Sequence, residues 1–343
     1  MLKNSFYAFI LFSLFSCVDA QKEYSLLQEA EETIPVDTVE VIVINTVSPQ
    51  DIHLVKALLY DRYTLEDHYI YVDNKKDTIE RSFQWEKVKE RLAFLENFRQ
   101  DICTWAVLQN YKNGNGESPT VRHFVRDEYS YVSDTFGVQR YQSVALYLSP
   151  DSVVPERYGR DGTPVKLLNA TDSLSEFYQV IPATIEGEWW ANKRQVKVLG
   201  DTLRFDHVIV VDVTNQSVAG LENKDGEWLI RSMNPATSGV YRPPYAQATP
   251  VGMYLIQQKK RKMVYLRDGS AETGGFAPYA NRFTNGAYLH GIPSVHPSTR
   301  EIEYSSSLGT TPRSHMCVRT ASSHAKFVYD YFPIFHTVVL VID

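Results

Sequence analysis

Two runs of mostly β-branched residues, Val208-Ile-Val-Val-Asp-Val213 and Thr337-Val-Val-Leu-Val-Ile342, constrain this chain more than any other feature. Val and Ile are stiff at Cβ and pack well on a pleated surface, so each run reads as a strand. Further strands recur between the two, and only Ser322 to Tyr331 carries a helical pattern there. The stretch 201–343 is therefore expected to form a mostly-β domain. The abundance of Tyr (22) and Phe (16) leans the same way for the whole chain.

A chain of 343 residues with 43% hydrophobic residues has room for two or three domains and the means to give each a core. Val39 to Ile44 reads as a strand. Ser48-Pro49-Gln50-Asp51 carries a helix start, with an N-cap, Pro at the first position and an acid three residues after the cap; Ile52, Val55 and Leu59 follow at helical spacing. Ser82 to Leu108 reads as the clearest helix, with Trp85, Val88, Leu92, Leu95 and Ile102 on one face and Cys103 as a small core residue within it. Lys112 to Ser118 breaks that pattern as a loop. Val144–Leu148, Phe177–Ile181 and Arg194–Leu199 then read as strands. Gly187-Glu-Trp-Trp-Ala-Asn-Lys-Arg-Gln-Val196 resembles the closing strands of a bacterial SH3-like domain, in which aromatics often bind cell-wall peptides; core packing explains Trp189 and Trp190 equally well. The expected architecture is multidomain α+β. Residues 1–20 form a signal peptide, 21–137 an N-terminal α/β region with helices, 138–200 an SH3-like β module, and 201–343 the mostly-β domain.

The first twenty residues point to export. Lys3 precedes a short apolar stretch, Phe6 to Phe15, that is too short to span a bilayer comfortably. It ends Leu14-Phe15-Ser16-Cys17, which resembles the lipobox of bacterial lipoproteins. That resemblance implies lipidation of Cys17 and anchoring to the outer or cytoplasmic membrane; an ordinary signal cut near Ala20 is the alternative. Residues 21–37 are polar and acidic, as a tether would be. A net charge of −6 with no long basic run argues against a nucleic-acid partner. Three cysteines, Cys17, Cys103 and Cys317, do not make a disulfide scaffold, and a leftover Cys near His residues invites a nucleophile reading.

The residues that carry chemistry are Tyr288-Leu-His290-Gly291 and Ser314-His315-Met316-Cys317-Val318-Arg319. A Cys of ordinary pKa is mostly thiol at neutral pH, so a nucleophile needs a neighbouring base and amide donors for the oxyanion. His315 stands two residues before Cys317, and His290 stands 27 before it (317 − 290). Here the chain resembles the L,D-transpeptidase (YkuD-like) family, whose signature is His-Gly followed by Ser-His-Gly-Cys, an aliphatic residue, and Arg or Asn. Met316 replaces the Gly, and 23 residues lie between His290 and Ser314, a long gap for the family. The departure at Met316 matters if the position needs positive φ. Val210 to Gln216, Thr249-Pro-Val-Gly252, Ala277 to Phe283 and Leu308-Gly-Thr310 match other family stretches in order.

The resemblance implies that Cys317 is the nucleophile and His290 the general base, oriented by the Gly291 carbonyl. It implies that His315 shapes the pocket or assists the base, that the Met316 and Cys317 amides form the oxyanion hole, and that Arg319 holds a substrate carboxylate or braces the loop. Ser314 is expected to bond locally. The activity implied is a cysteine acyltransferase that forms 3-3 cross-links between peptidoglycan stem peptides in the bacterial envelope, with no metal or organic cofactor and with carbapenems as acylating agents. The same site would also serve an L,D-carboxypeptidase or a protein-anchoring or releasing enzyme, and a non-catalytic wall-binding lipoprotein is the reading from another class. A zinc site from His290, His315 and Cys317 is conceivable and set aside. No phosphate loop, dinucleotide fingerprint or glycosidase carboxylate pair occurs.

Overall fold

The computed structural model describes residues 46–72, 76–127 and 130–343. In it the two bracketing runs become neighbours. His207–Asp212 and Thr337–Ile342 pair in parallel, from His207 opposite Thr337 to Asp212 opposite Ile342. They sit inside a six-stranded sheet ordered Leu54–Lys56, Glu227–Pro235, Ser217–Lys224, His207–Asp212, Thr337–Ile342, Gly252–Leu255. Both faces of the central pair are covered, which is why neither run alternates apolar with polar. Val208, Val210, Val338 and Leu340 pack with Trp228 and with Val88, Leu92 and Leu95 of helix α1 (Trp85–Phe98). Ile209, Val211, Val339 and Val341 belong to the opposite cluster, with Tyr254, Phe283, Leu289 and Val328 of helix α2 (Ser322–Tyr331). Burying each such side chain contributes about 1.5–3 kcal/mol. The strands and the one helix expected between residues 201 and 343 therefore occur.

A second sheet grows from this one and carries the chemistry-bearing residues. Its order is Gln258–Leu266, Thr273–Thr284, Ala287–His290, Val318–Arg319. The first two strands form a long hairpin, and the last two run parallel, with Leu289 opposite Val318 and His290 opposite Arg319.

Upstream, two expectations need correction. The Ser48 start signal is real, since the Ser48 N–H donates to Asp51 Oδ2 at 2.8 Å, but it yields a single 3-10 turn, Pro49–Asp51. The chain then extends as Leu54–Lys56 and joins the free edge of Glu227–Pro235 in parallel, leaving Val55 and Leu59 exposed. A strand ladder beats a helix that has only a cap to start it, because helix nucleation is unfavourable by itself. The long helix likewise stops at Phe98. Thr104–Leu108 is a strand, with ladders to Val196–Gly200 on one side and Pro164–Leu167 on the other, and its Trp105, Ala106, Val107 and Leu108 are buried. Those two ladders outweigh helix propensities that differ by fractions of a kcal/mol per residue. Ile102 is fully exposed, and Cys103 is half-buried against the core, with its thiol pushed up by burial.

The expected strands between 139 and 200 all occur, in a seven-stranded sheet ordered Val196–Gly200, Thr104–Leu108, Pro164–Leu167, Phe177–Pro182, Trp189–Asn192, Ser143–Tyr147, Arg157–Arg160. One strand, Thr104–Leu108, comes from the segment assigned to the N-terminal region. Trp189 is buried, with its indole N–H donating to the Glu186 carbonyl at 3.0 Å, so its role is packing. The signal segment, Cys17, the tether and the strand expected at Val39–Ile44 lie outside the described residues. Among the described residues no helix is long and apolar enough to cross a membrane.

Candidate active site

His290 ends its strand and is 4% exposed. Its Nδ1 lies 2.6 Å from the Gly291 carbonyl oxygen. A carbonyl only accepts, so Nδ1 carries the proton and Nε2 is left as the basic nitrogen. Burial depresses the imidazole pKa to about 4; the Gly291 carbonyl opposes that shift, and the charge of Arg319 adds to it. The ring is therefore neutral at neutral pH. Gly291 itself allows close packing: a Cβ there would stand 2.5 Å from the Ser322 hydroxyl at the start of α2 and 2.8 Å from the Pro278 ring. Its N–H donates to the Pro278 carbonyl at 2.9 Å.

Cys317 closes an irregular loop that begins at Ser314. The Ser314 hydroxyl donates to the Cys317 carbonyl, so this residue does bond locally. Met316 has φ +71°, the left-handed region in which a side chain costs about 1–2 kcal/mol. This is the position where the family pattern has Gly, and the positive φ explains that preference. Three neighbours hold the Met in place. Thr249 Oγ1 donates to the Met316 carbonyl at 2.8 Å and accepts from the Gly239 N–H at 2.8 Å. Gly239 comes so close that a Cβ would lie 2.7 Å from both N and Cα of Met316. Gln216, wholly buried, braces the same segment through Ser238, accepting its N–H at 2.9 Å and donating to its hydroxyl at 2.7 Å.

The sulfur faces the turn between Thr273–Thr284 and Ala287–His290. Its S–H points at the Gly286 carbonyl, 3.6 Å away, and the Tyr288 N–H donates to it. Burial pushes the thiol pKa up, while the Tyr288 amide and Arg319 pull it down. The resting pair is thus thiol and neutral imidazole.

His290, Cys317 and Arg319 line one cavity of about 360 Å³, together with Ser314, Tyr265 and His315. Arg319 is half-buried there, and its Nε has no partner among the described residues. Its backbone exchanges two hydrogen bonds with Thr237, both 2.9 Å. His315 is exposed, its Nε2 3.4 Å from Asp268 Oδ2 at the end of the long hairpin. A larger cavity, about 560 Å³, lies beside α1 and is lined by Phe94, Phe98, Ile181 and Leu340; it contains none of these residues. The roles of Gly286, Gly239, the Tyr288 amide and Thr249 were not foreseen from sequence. Thr249 opens the Thr-Pro-x-Gly turn, but its partners are distant in the chain.

Residues 206–341 match the L,D-transpeptidase catalytic domain family, YkuD. Among curated proteins no sequence matches the chain. Solved structures that resemble it include an L,D-transpeptidase from Mycobacterium smegmatis, 18% identical over 51% of this chain and 81% of that one, with a TM-score of 0.33. An L,D-transpeptidase from Mycobacterium tuberculosis H37Rv is 20% identical over 54% of this chain and 92% of that one, TM-score 0.33. A fused Zn-dependent amidase/peptidase/peptidoglycan-binding protein from Clostridium acetobutylicum is 21% identical over 40% of this chain, TM-score 0.29; the chain spans about half of that protein's length, 52%. The His-Gly and Ser-His-x-Cys segments thus fall inside the C-terminal stretch, residues 206–341, that matches the L,D-transpeptidase catalytic domain (YkuD) family.

Proposed function

We propose that this chain is an L,D-transpeptidase that acts on peptidoglycan stem peptides at the bacterial envelope, with Cys317 as nucleophile and His290 as base. The observation that carries this reading is the fixed tautomer of His290: Nδ1 is committed to Gly291, and the basic Nε2 belongs to a ring that shares one cavity with Cys317. Because both partners rest neutral, the proton moves as the substrate is attacked rather than before.

Sγ attacks the carbonyl between the third and fourth stem residues while its proton passes to His290 Nε2. The oxyanion is received by the N–H groups of Met316 and Cys317, neither of which has an acceptor among the described residues. The C–N bond then breaks, the departing D-alanine amine takes the proton from His290, and a thioester remains. An amine from a neighbouring stem attacks it, giving its proton to His290. The S–C bond breaks and the proton returns to Sγ. The orphan Nε of Arg319 suits a substrate carboxylate, which guanidinium binds in a planar, bidentate manner. His315, exposed beside Asp268, shapes the rim. Lipidation at Cys17 would hold the enzyme at a membrane.

The test is incubation of the purified full-length protein with disaccharide-tetrapeptides, read by mass spectrometry, with Cys317→Ala in parallel. Dimers linked 3-3 with loss of D-alanine, absent in the variant, are expected, as is a carbapenem adduct on Cys317 alone. Tripeptide without dimers would make water the acceptor and the enzyme a carboxypeptidase. Equal inactivity of both proteins would leave a wall-binding lipoprotein.

A further inference from the structure

We infer that Asp161, outside the family domain, is a positioning residue for Cys317; the inference rests on the proposed role of that cysteine. Asp161 lies in the turn between Arg157–Arg160 and Pro164–Leu167 of the seven-stranded sheet and is wholly buried. Its carboxylate gathers four donors. Oδ1 accepts from the Asn110 N–H at 2.9 Å. Oδ2 accepts from Gln257 Nε2 at 2.9 Å, from the Asn285 N–H at 3.0 Å, and from the guanidinium of Arg282. The Thr284 hydroxyl donates to the Asp161 carbonyl. The next residue, Gly162, has φ +92°, and a Cβ there would stand 2.0 Å from the Phe283 carbonyl oxygen, so the two turns meet backbone to backbone.

Arg282 and Thr284 lie at the end of the strand that leads into the hairpin turn touching the sulfur, and Asn285 begins that turn. Asp161 grips the turn at Asn285, and the thiol is held at Gly286 and Tyr288, one and three residues on. Arg282 also stands opposite Tyr288 in the ladder, and it lies 4.5 Å over the ring of Tyr111, whose hydroxyl is 3.4 Å from that of Tyr288. A buried carboxylate is stable only with its partners in place, so this clamp holds the turn in one arrangement. Loosening it would let the Gly286 carbonyl and Tyr288 amide lose their aim at Sγ. The sequence could not show this, because Asp161 and Cys317 are far apart in the chain and belong to different sheets.

The experiment measures alkylation of Cys317 by iodoacetamide in the full-length protein over a pH series. Peptide mass spectrometry reads Cys103 separately, and kcat and KM are measured on disaccharide-tetrapeptides alongside. The variants are Asp161→Asn, which removes the charge, and the milder Thr284→Val, which removes one hydroxyl. In each folded variant the Cys317 rate is expected to fall by about tenfold or more, as for misplacement of a reacting group. The midpoint of its pH profile should rise, kcat should fall with KM nearly unchanged, and Cys103 should react as before. A lowered melting temperature with unchanged Cys317 rate and midpoint would overturn the inference, and if Asp161→Asn does not fold, Thr284→Val decides. Should alkylation respond while the wild-type protein leaves stem peptides untouched, the proposed substrate fails and the role of Asp161 stands.

Discussion

His290 ends a strand with hydrogen-bonded neighbours on both sides, whereas Cys317 closes a loop that joins a ladder only at Val318. His290 takes its position from regular structure and needs one local bond, to Gly291, to fix its ring. Cys317 is placed by ties from far along the chain: Thr249, Gly239, Gly286 and, through the hairpin turn, Asp161. One half of the site is held by the ladder, the other by tertiary contacts. The half around Cys317 should therefore respond to distant substitutions, and the half around His290 to pH.

The largest effect is expected from Gly239→Ala. A Cβ there meets the backbone N and Cα of Met316 at 2.7 Å and the Gln247 carbonyl at 2.5 Å, none of which can rotate away. Stability should fall by about 1–3 kcal/mol from overpacking, and the acyl-transfer rate by about a hundredfold from misplacement of Cys317. Urea denaturation and thioester formation would check this, and a variant of near-normal rate would mean the loop is not positioned through Gly239.

Acid tests the other half. His290 and His324 are both held neutral by burial, with pKa values of about 4 and about 3 against an ordinary 6.5. Below that ordinary value the unfolded chain binds more protons than the folded one, so stability is full above it and is lost as pH falls through the folded values. Each unit of depression corresponds to about 1.4 kcal/mol. His324 lies on α2, with its Nε2 3.1 Å from Ser232 Oγ, and is not in the site. Denaturation curves of wild type and His324→Leu should converge as pH drops from neutrality into the acid range, because the variant lacks one of the two depressed groups. Parallel curves would contradict the assignment.

The smallest effect distinguishes substitutions at Met316. Gly suits φ +71°, whereas a β-branched residue resists it, so Met316→Val should be less stable than Met316→Gly by about 1–2 kcal/mol. Equal stabilities would mean that the residue does not adopt the left-handed conformation.

The parts legible in the sequence were those specified locally or by a repeated pattern. Thr337–Ile342 and Ser322–Tyr331 occur with the bounds read from their residues, because a doubly buried strand leaves an unbroken β-branched run and a helix with a covered face leaves a periodic one. Ser314, Cys317 and Arg319 could be singled out because they fall within six residues, His290 because of its own His-Gly pair, and all four line one cavity; Met316 was legible as a question about φ. The failures lie where a partner is remote. Nothing near Ser48 announces that Leu54–Lys56 will pair with Trp228–Ile230, and nothing near Cys103 announces that Thr104–Leu108 will be enclosed by two ladders. Thr249 and Gly239 sit ten residues apart but matter only through Met316.

The strand Leu54–Lys56 has a consequence for how this domain can be inherited. A gene fragment starting at residue 201 would encode a sheet with Glu227–Pro235 as a bare edge and without the apolar cover that Val88, Leu92 and Leu95 provide. Open edges of that kind pair with other chains. The family match begins at residue 206, but the sheet it lies in takes its edge strand from Leu54–Lys56. A cut at the start of that match would therefore remove the edge strand and the cover of one face of the sheet.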